Sequence, residues 1–545
     1  MMARQDHQLN AHRTKFCQPF TRSSADVVFR SSDNVHFKLH KAILSIASDF
    51  FDDMFTLLQP ARSTSACNAG LSEEETCEEL DGLPVIQVAE PRDVLERLFR
   101  LCYPIDDPPL ITVDEVRSTL EAAMKYQMRE ATSILTRRLL AQAKSAPLRV
   151  FAIAHRLSLE DAVAAAARAV SKQKAQDNYV EELEEIPVHV YYRLLSYCAR
   201  GGGSTSWTTS SDDSGLSRDS ALVQGSSCPP PPSLPVPPPV FDTEGADVVI
   251  RTADDVEFGV CKDILRIASP VLFERLSSST APFDSPPPPP AKTITVPETS
   301  DVMLALLYAC YPVVPPPLTD LPLIVAAFAA AEKYRMDTAI WRSRECLVGL
   351  KEDPSSDPLM MYFVACRLGL RDLATDAARK TLQRDLFNET EPIKFTNVDA
   401  LGVSAGHLWR LLDYHRRCRS AMRSMVDSDP SSWMSEEWKQ KVKICNRNFS
   451  LANACWFNPY LTSMRGKAWP SSADARSESM FNGSMFNVSC SYCERRGVAT
   501  LFSFAMYVEE TLKARESEVP LEWKDIDVQT DTTGRSSSAE SVVPV

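Results

Sequence analysis

The sequence predicts an α+β protein in which one domain, a small sheet plus helices, is used twice and each copy is followed by an all-α extension. Three observations carry that expectation. Cys102-Tyr103-Pro104 returns as Cys310-Tyr311-Pro312, and Lys125-Tyr126 returns as Lys333-Tyr334, both 208 residues on. Ala25-Asp26-Val27-Val28 returns as Ala246-Asp247-Val248-Val249, and Ile46-Ala47-Ser48 as Ile267-Ala268-Ser269, both 221 residues on. Weaker echoes follow, His155-Arg156-Leu157 in Cys366-Arg367-Leu368 and Arg193-Leu194-Leu195 in Arg410-Leu411-Leu412. A period this long is a duplicated domain, not a solenoid.

Each copy opens on two short β-rich runs. Asp26–Arg30 and Val35–Leu39 flank Ser31-Ser32-Asp33-Asn34, a hairpin signal, and Val35, Phe37 and Leu39 alternate at period two. Asp247–Arg251 and Val256–Val260 repeat this around Thr252-Ala253-Asp254-Asp255. Next comes an apolar stripe at helical spacing: Ile43, Leu44, Ile46, Ala47, Phe50, Phe51, Met54 and Phe55. The second copy reads Ile264, Leu265, Ile267, Ala268, Val271, Leu272 and Leu276, with Arg275 in place of Met54 as its one break. A third strand is expected at Val85–Val88 and Ile294–Val296. A helix follows at Val94–Cys102 and Val302–Cys310, stopped by Pro104 and Pro312. From Thr112 and Thr319 onward the pattern is helical.

Between the copies, residues 201–239 turn Gly-, Ser- and Pro-rich, a linker composition that buries too little apolar surface to fold. Ser63–Glu79 and the run Pro286–Pro290 occupy corresponding places and read as variable loops. The expected organisation is a disordered N-terminus (1–19), a first domain (20–145) with its helical extension (146–200), and the linker (201–239). A second domain (240–350) and its extension (351–425) follow. A Cys- and Trp-containing region (426–515) precedes a disordered tail (516–545). In that region Trp433, Trp438, Trp456 and Trp469 are expected to anchor a small core.

The copies resemble the BTB/POZ family, whose pattern is an Asp-Val strand, a hairpin, Phe-x-x-His-Lys and then Leu-x-x-x-Ser-x-x-Phe. The first copy carries Asp26-Val27, Phe37, His40-Lys41, Leu44, Ser48, Phe51 and Phe55. The second keeps Asp247-Val248, Phe258, Lys262, Leu265 and Ser269, but has Cys261 for His40 and Leu272 for Phe51. The stretches Pro147–Arg200 and Asp357–Arg417 resemble the BACK-like helical extensions that follow such domains, and the tandem plan is similar to fungal BTB proteins. The resemblance implies a non-enzymatic interaction and dimerisation module. Partners would be other proteins bound through the BTB surfaces, with pairing between the two modules of one chain or between chains. In one branch of the family the module is a substrate adaptor for a cullin-type ubiquitin ligase. Others are scaffolds or transcription-linked oligomerisers. Leu71-Ser72-Glu73 lies where cullin-binding members carry a hydrophobic-x-Glu element, so Leu71 and Glu73 are the candidate cullin contacts. The second copy has no Glu between Leu276 and Pro297.

Composition limits the alternatives. A net charge of −13 opposes a role resting on phosphate neutralisation, so no direct nucleic-acid partner is expected. The longest strongly apolar stretch, Leu323–Ala331, is far short of a membrane span. The first twenty residues lack a signal-type apolar run, and 15 cysteines then read as reduced thiols of a cytoplasmic or nuclear protein, not a secreted one.

Three features are candidate sites. His40 reads as a structural side chain near Asp26 at the start of the first helix. Gly402-Val403-Ser404-Ala405-Gly406 matches the G-x-S-x-G nucleophile elbow but lacks the buried strand before it; the repeat sets Ser404 opposite Pro187 and makes both helix starts. Cys490-Ser491-Tyr492-Cys493 is the one spacing suited to zinc. His415 and Cys418, three apart on one helix face, are the candidate second pair, with Cys445 and Cys455 as further candidates and buried free thiols as the alternative. No catalytic residue and no organic cofactor is expected, and the one metal expectation is a structural zinc.

Overall fold

The computed structural model describes residues 15–56, 79–109, 111–202, 207, 238–277, 292–350, 357–382, 402–443, 445–447, 450–467, 470–485 and 490–523. These fall into two units, one comprising Met1–Ile186 with Arg193–Gly215 and the other Pro187–Tyr192 with Leu216–Val545.

In the first unit, β2 (Val27–Arg30) and β3 (Val35–Leu39) pair antiparallel, with Phe29 opposite Phe37. The turn between them places Asn34 at φ 58°, a conformation asparagine tolerates better than most residues. β5 (Leu83–Gln87) runs parallel to β2. Two two-residue strands extend the sheet at its edges: β1 (Lys15–Phe16), parallel to β3, and β4 (Glu79–Leu80), antiparallel to β5. The order is β1-β3-β2-β5-β4. Helices α1 (Lys41–Ala47), α2 (Asp49–Thr56), α3 (Arg92–Arg100), α4 (Val113–Lys125) and α5 (Arg129–Ala141) follow. Thr112 and Glu115 form a reciprocal capping box at the start of α4. The extension begins with α6 (Pro147–Arg156) and α7 (Glu160–Gln173); of α8 (Val188–Ala199), the residues from Arg193 belong to this unit.

The second unit repeats the plan. β6 (Val248–Arg251) pairs antiparallel with β7 (Glu257–Val260) and parallel with β8 (Lys292–Thr295), in the order β7-β6-β8. Then come α9 (Lys262–Ala268), α10 (Pro270–Ser277), α11 (Ser300–Cys310), α12 (Leu321–Lys333) and α13 (Asp337–Gly349). The side-chain bonds that hold the elements also recur. Glu90 accepts from Lys125 and Tyr126, and Glu298 accepts from Lys333 and Tyr334. Asp33 accepts from the Arg92 backbone, and Asp254 from the Ser300 backbone, each fixing the start of α3 or α11. Phe20 sits edge-on to Tyr103, and Phe241 edge-on to Tyr311. Arg275, the break in the second apolar stripe, lies over the Tyr334 ring 5.7 Å from its centre, so its charge is held by a π face.

The single helix expected from each apolar stripe is two helices. Ser48, at φ −152° and ψ 118°, separates α1 from α2. Its hydroxyl donates to the Tyr126 carbonyl and accepts from the Phe51 amide, capping α2. Ser269 does the same for α10, donating to Tyr334 O at 2.6 Å and accepting from Leu272 N at 3.2 Å.

In the second unit, α14 (Pro358–Arg367) and α15 (Arg371–Thr381) precede a long helix, Ala405–Asp427. Two arginines tie that helix to helix Phe457–Gly466. Arg423 donates to the carbonyls of Arg465 and Lys467, and Arg465 donates to those of Val426 and Ser428, satisfying carbonyls at both helix ends. The hairpin of β9 (Cys445–Arg447) and β10 (Ser450–Ala452) and the C-terminal helix Ser491–Glu518 complete it. Trp433, Trp438 and Trp456 gather around Phe504 of that helix. Trp469 lies outside the described residues.

Two expected boundaries differ. β1 falls inside the segment expected to be a disordered N-terminus. The C-terminal helix runs through Glu518, past the expected start of the tail at 516, and Arg371 packs over Trp523. Residues 1–14 and 524–545, Ser63–Cys77, Pro286–Pro290 and most of the linker lie outside the described residues.

Candidate functional site

The helix pair α1/α2 is built from both ends. Asp26 accepts from the Lys41 amide at 2.7 Å and the Tyr103 hydroxyl from the His40 amide at 2.8 Å, which fix the start of α1. The break at Ser48 then turns α2. As a result Leu44 and Phe51 are buried, whereas Ile46 is 89% and Phe50 39% exposed. These two therefore leave the core to which the helical stripe assigned them. In the second copy Asp247, Tyr311 and Cys261 make the same start, Leu265 and Leu272 are buried, and Ile267 is 80% exposed. Burying an isoleucine is worth about 1.5–3 kcal/mol. A single exposed isoleucine is ordinary; here the residue is exposed at corresponding positions, Ile46 and Ile267.

His40 is structural, but its partners differ from the expected Asp26. Its ring contacts Ser24 Oγ at 2.9 Å and Tyr103 Oη at 3.2 Å, while Asp26 is taken by the Lys41 amide. Burial pushes the Tyr103 phenol up to about 12, so it stays protonated at neutral pH.

Ser404 stands at the N-cap position of helix Ala405–Asp427 with φ −78° and ψ 158°, an unstrained extended conformation. A nucleophile elbow needs a strained turn between a buried strand and a helix. Ser404 Oγ does lie 2.9 Å from His407 Nδ1, a pairing the sequence reading did not foresee. Both groups are buried, and Ser404 forms an isolated antiparallel bridge with Pro187.

The thiols are sorted by the fold. His415 Nε2 lies 2.9 Å from Thr381 Oγ1, and burial, reinforced by Arg419, lowers the imidazole pKa to about 4. Cys418 is buried beside Tyr414. Neither joins a metal-type group among the described residues, so the pairing of His415 and Cys418 with Cys490 and Cys493 is replaced. Their i, i+3 spacing puts them on one helix face, but that face packs into the helical core. Instead Cys445, Cys455, Cys490 and Cys493 come together, all four sulfurs within 4.8 Å of one another. Cys445 leads β9, and its Sγ is 3.6 Å from that of Cys455, just past β10. Cys490 is the N-cap of the C-terminal helix and Cys493 lies in its first turn. Burial, then the neighbouring thiols, push the Cys445 thiol up to about 12. The sequence signal for this pair was a second cysteine couple flanking a hairpin; only long-range packing selects it over His415 and Cys418.

Leu71 and Glu73 lie outside the described residues. Among those described, no helix is long and apolar enough to cross a membrane.

Residues 17–143 match the family model of the BTB/POZ domain. BTB/POZ domains mediate protein–protein interaction and oligomerisation and are generally non-enzymatic. No curated protein sequence matches the chain.

Proposed function

We propose that this chain is a non-enzymatic interaction and assembly protein of the cytoplasm or nucleus, carrying two BTB modules, each followed by a BACK-like helical extension. The second module, at 240–350, is supported by the recurrence of strand order, of the Ser269–Tyr334 and Glu298–Lys333–Tyr334 bonds, and of the Tyr311 hydroxyl on the first helix start. The observation that carries the assembly role is the matched exposure of Ile46 and Ile267. Pairing through this face joins the two modules of one chain or modules of separate chains. A useful interface buries about 1,200–2,000 Å² in total.

Light scattering of the full chain tests it. A mass above the 60.6 kDa of one chain that falls in Ile46→Glu or Ile267→Glu supports pairing between chains through this face. Pairing inside one chain leaves the mass at one chain but lets those substitutions speed backbone hydrogen exchange in α1 and α9. If neither mass nor exchange responds, the face is not an interface.

The more specific reading is a substrate adaptor for a cullin-type ubiquitin ligase, with Leu71 and Glu73 as contacts. Recovery of a cullin with the wild type and its loss in Leu71→Ala/Glu73→Ala supports it. The alternative is a scaffold or transcription-linked oligomeriser. The absence of any Glu between Leu276 and Pro297 favours it for the second module, and proximity labelling that finds no cullin selects it for the whole chain.

A further inference from the structure

We infer that Cys445, Cys455, Cys490 and Cys493 form a structural zinc site that clamps the β9–β10 hairpin to the start of the C-terminal helix. Four thiolates about 2.3 Å from one zinc stand about 3.8 Å apart along each tetrahedral edge. The four sulfurs here lie within 4.8 Å of one another, and those of Cys445 and Cys455 are 3.6 Å apart. That is too far for a disulfide, whose sulfurs are about 2.05 Å apart, and close to the spacing of a single-ion site.

The donor set selects the metal class. Four sulfurs and no oxygen suit a soft or borderline cation and exclude magnesium and calcium as residents. All four positions are supplied by protein, so none is left for a reacting water, and the role is structural. A four-iron cluster has to fit its whole cube between the thiolates and needs them further apart.

The surroundings suit a tetrathiolate centre of net charge −2. Cys490 stands at the N-cap position of the 28-residue helix Ser491–Glu518, whose N-terminal dipole favours negative charge. Cys445 and Cys493 are fully buried.

The fold also needs a staple there. Each strand of the hairpin has three residues, and an isolated two-stranded hairpin is marginal in water. Trp456, next to Cys455, is fully buried and lies against Gly497, one turn beyond Cys493; a Cβ at Gly497 would stand 3.2 Å from its ring. Trp456 passes this order on to Phe504 and the tryptophans around it. The ion would thereby set the aromatic core of the whole C-terminal region.

Elemental analysis of the full-length protein, purified under reducing conditions from zinc-replete cells, tests the site. One zinc per chain is expected, lost in Cys445→Ser and Cys493→Ser and retained in His415→Ala and Cys418→Ser. Zinc absent from the wild type, iron in its place, or zinc that follows His415 or Cys418 would overturn the assignment. Because the serine variants could misfold for other reasons, cobalt exchanged into the wild type gives a second reading. The absorption of tetrahedral cobalt bound by four thiolates supports the site; a spectrum with fewer thiolates removes it. Chelation should also shift the tryptophan fluorescence reversibly, and an unchanged spectrum after complete zinc removal contradicts the clamp.

Discussion

The Tyr103 hydroxyl accepts a hydrogen bond from the His40 backbone nitrogen at 2.8 Å, and Tyr311 holds Cys261 in the same way at the same distance. This explains why Cys-Tyr-Pro recurs while the residue before the first helix does not. The tyrosine holds the backbone nitrogen, so this bond does not depend on which side chain stands at 40 or 261.

Replacing either tyrosine by phenylalanine strands a half-buried amide. Tyr103→Phe and Tyr311→Phe are each expected to cost about 1–3 kcal/mol, the usual penalty for an unsatisfied buried donor. His40→Cys, which gives the first copy the residue of the second, should cost less because the backbone bond survives. Urea unfolding midpoints of the full chain compare the three. Equal losses would mean that the His40 ring, not its amide, is the element held.

The serine hinges make a second expectation. The Ser48 and Ser269 hydroxyls each make two bonds in buried surroundings, one to a helix amide and one to a carbonyl 78 or 65 residues away. Ser48→Ala and Ser269→Ala should each lower stability by about 1–3 kcal/mol. Faster backbone hydrogen exchange should be confined to α2 or α10 and to the segment around Tyr126 or Tyr334. Exchange that is unchanged there would show that the helices break for another reason.

Much of the fold was legible because the chain states it twice. The hairpins, the third strands and the helices α3 and α11 follow from period, from breakers and from the repeat. The break at Ser48 was not legible, because what ends the helix is the distant Tyr126 carbonyl rather than a local breaker; in the second copy Pro270 was a visible hint. β1 and β4 were missed because two residues carry no period. At the cysteine site, the Cys-x-x-Cys couple was readable from spacing. Its partners were not, since a helix face shared by His415 and Cys418 does not say what that face meets.

Gly259 yields a third expectation. Its place in the second sheet is held by Lys38 in the first. A Cβ at Gly259 would stand 2.0 Å from the Asp242 carbonyl oxygen, which is backbone and cannot swing aside. Gly259→Ala should therefore cost about 1–3 kcal/mol by overpacking, while Lys38→Gly has no such clash to relieve. A Gly259→Ala protein with an unchanged unfolding midpoint would show that the 238–247 segment does not pass so close to β7.

His415 sets a pH dependence that can be assigned to one residue. Its imidazole is buried in the second unit, with Thr381 on its Nε2. Burial is the main cause of its low pKa; the Arg419 charge adds to it, and the Ala378 carbonyl works the other way. The folded value is about 4 against 6.5 for a free histidine, so between those limits the unfolded chain binds a proton that the folded chain refuses. Stability from this group is complete above about pH 6.5 and is lost as the pH falls toward 4. The difference amounts to on the order of 3 kcal/mol. His415→Gln, which keeps a hydrogen-bonding group for Thr381, should flatten that limb of the stability profile while changing stability at pH 7.5 far less. Unfolding midpoints measured from pH 4.5 to 7.5 separate the two effects. A slope unchanged by the substitution would place the acid sensitivity of this range in groups other than His415.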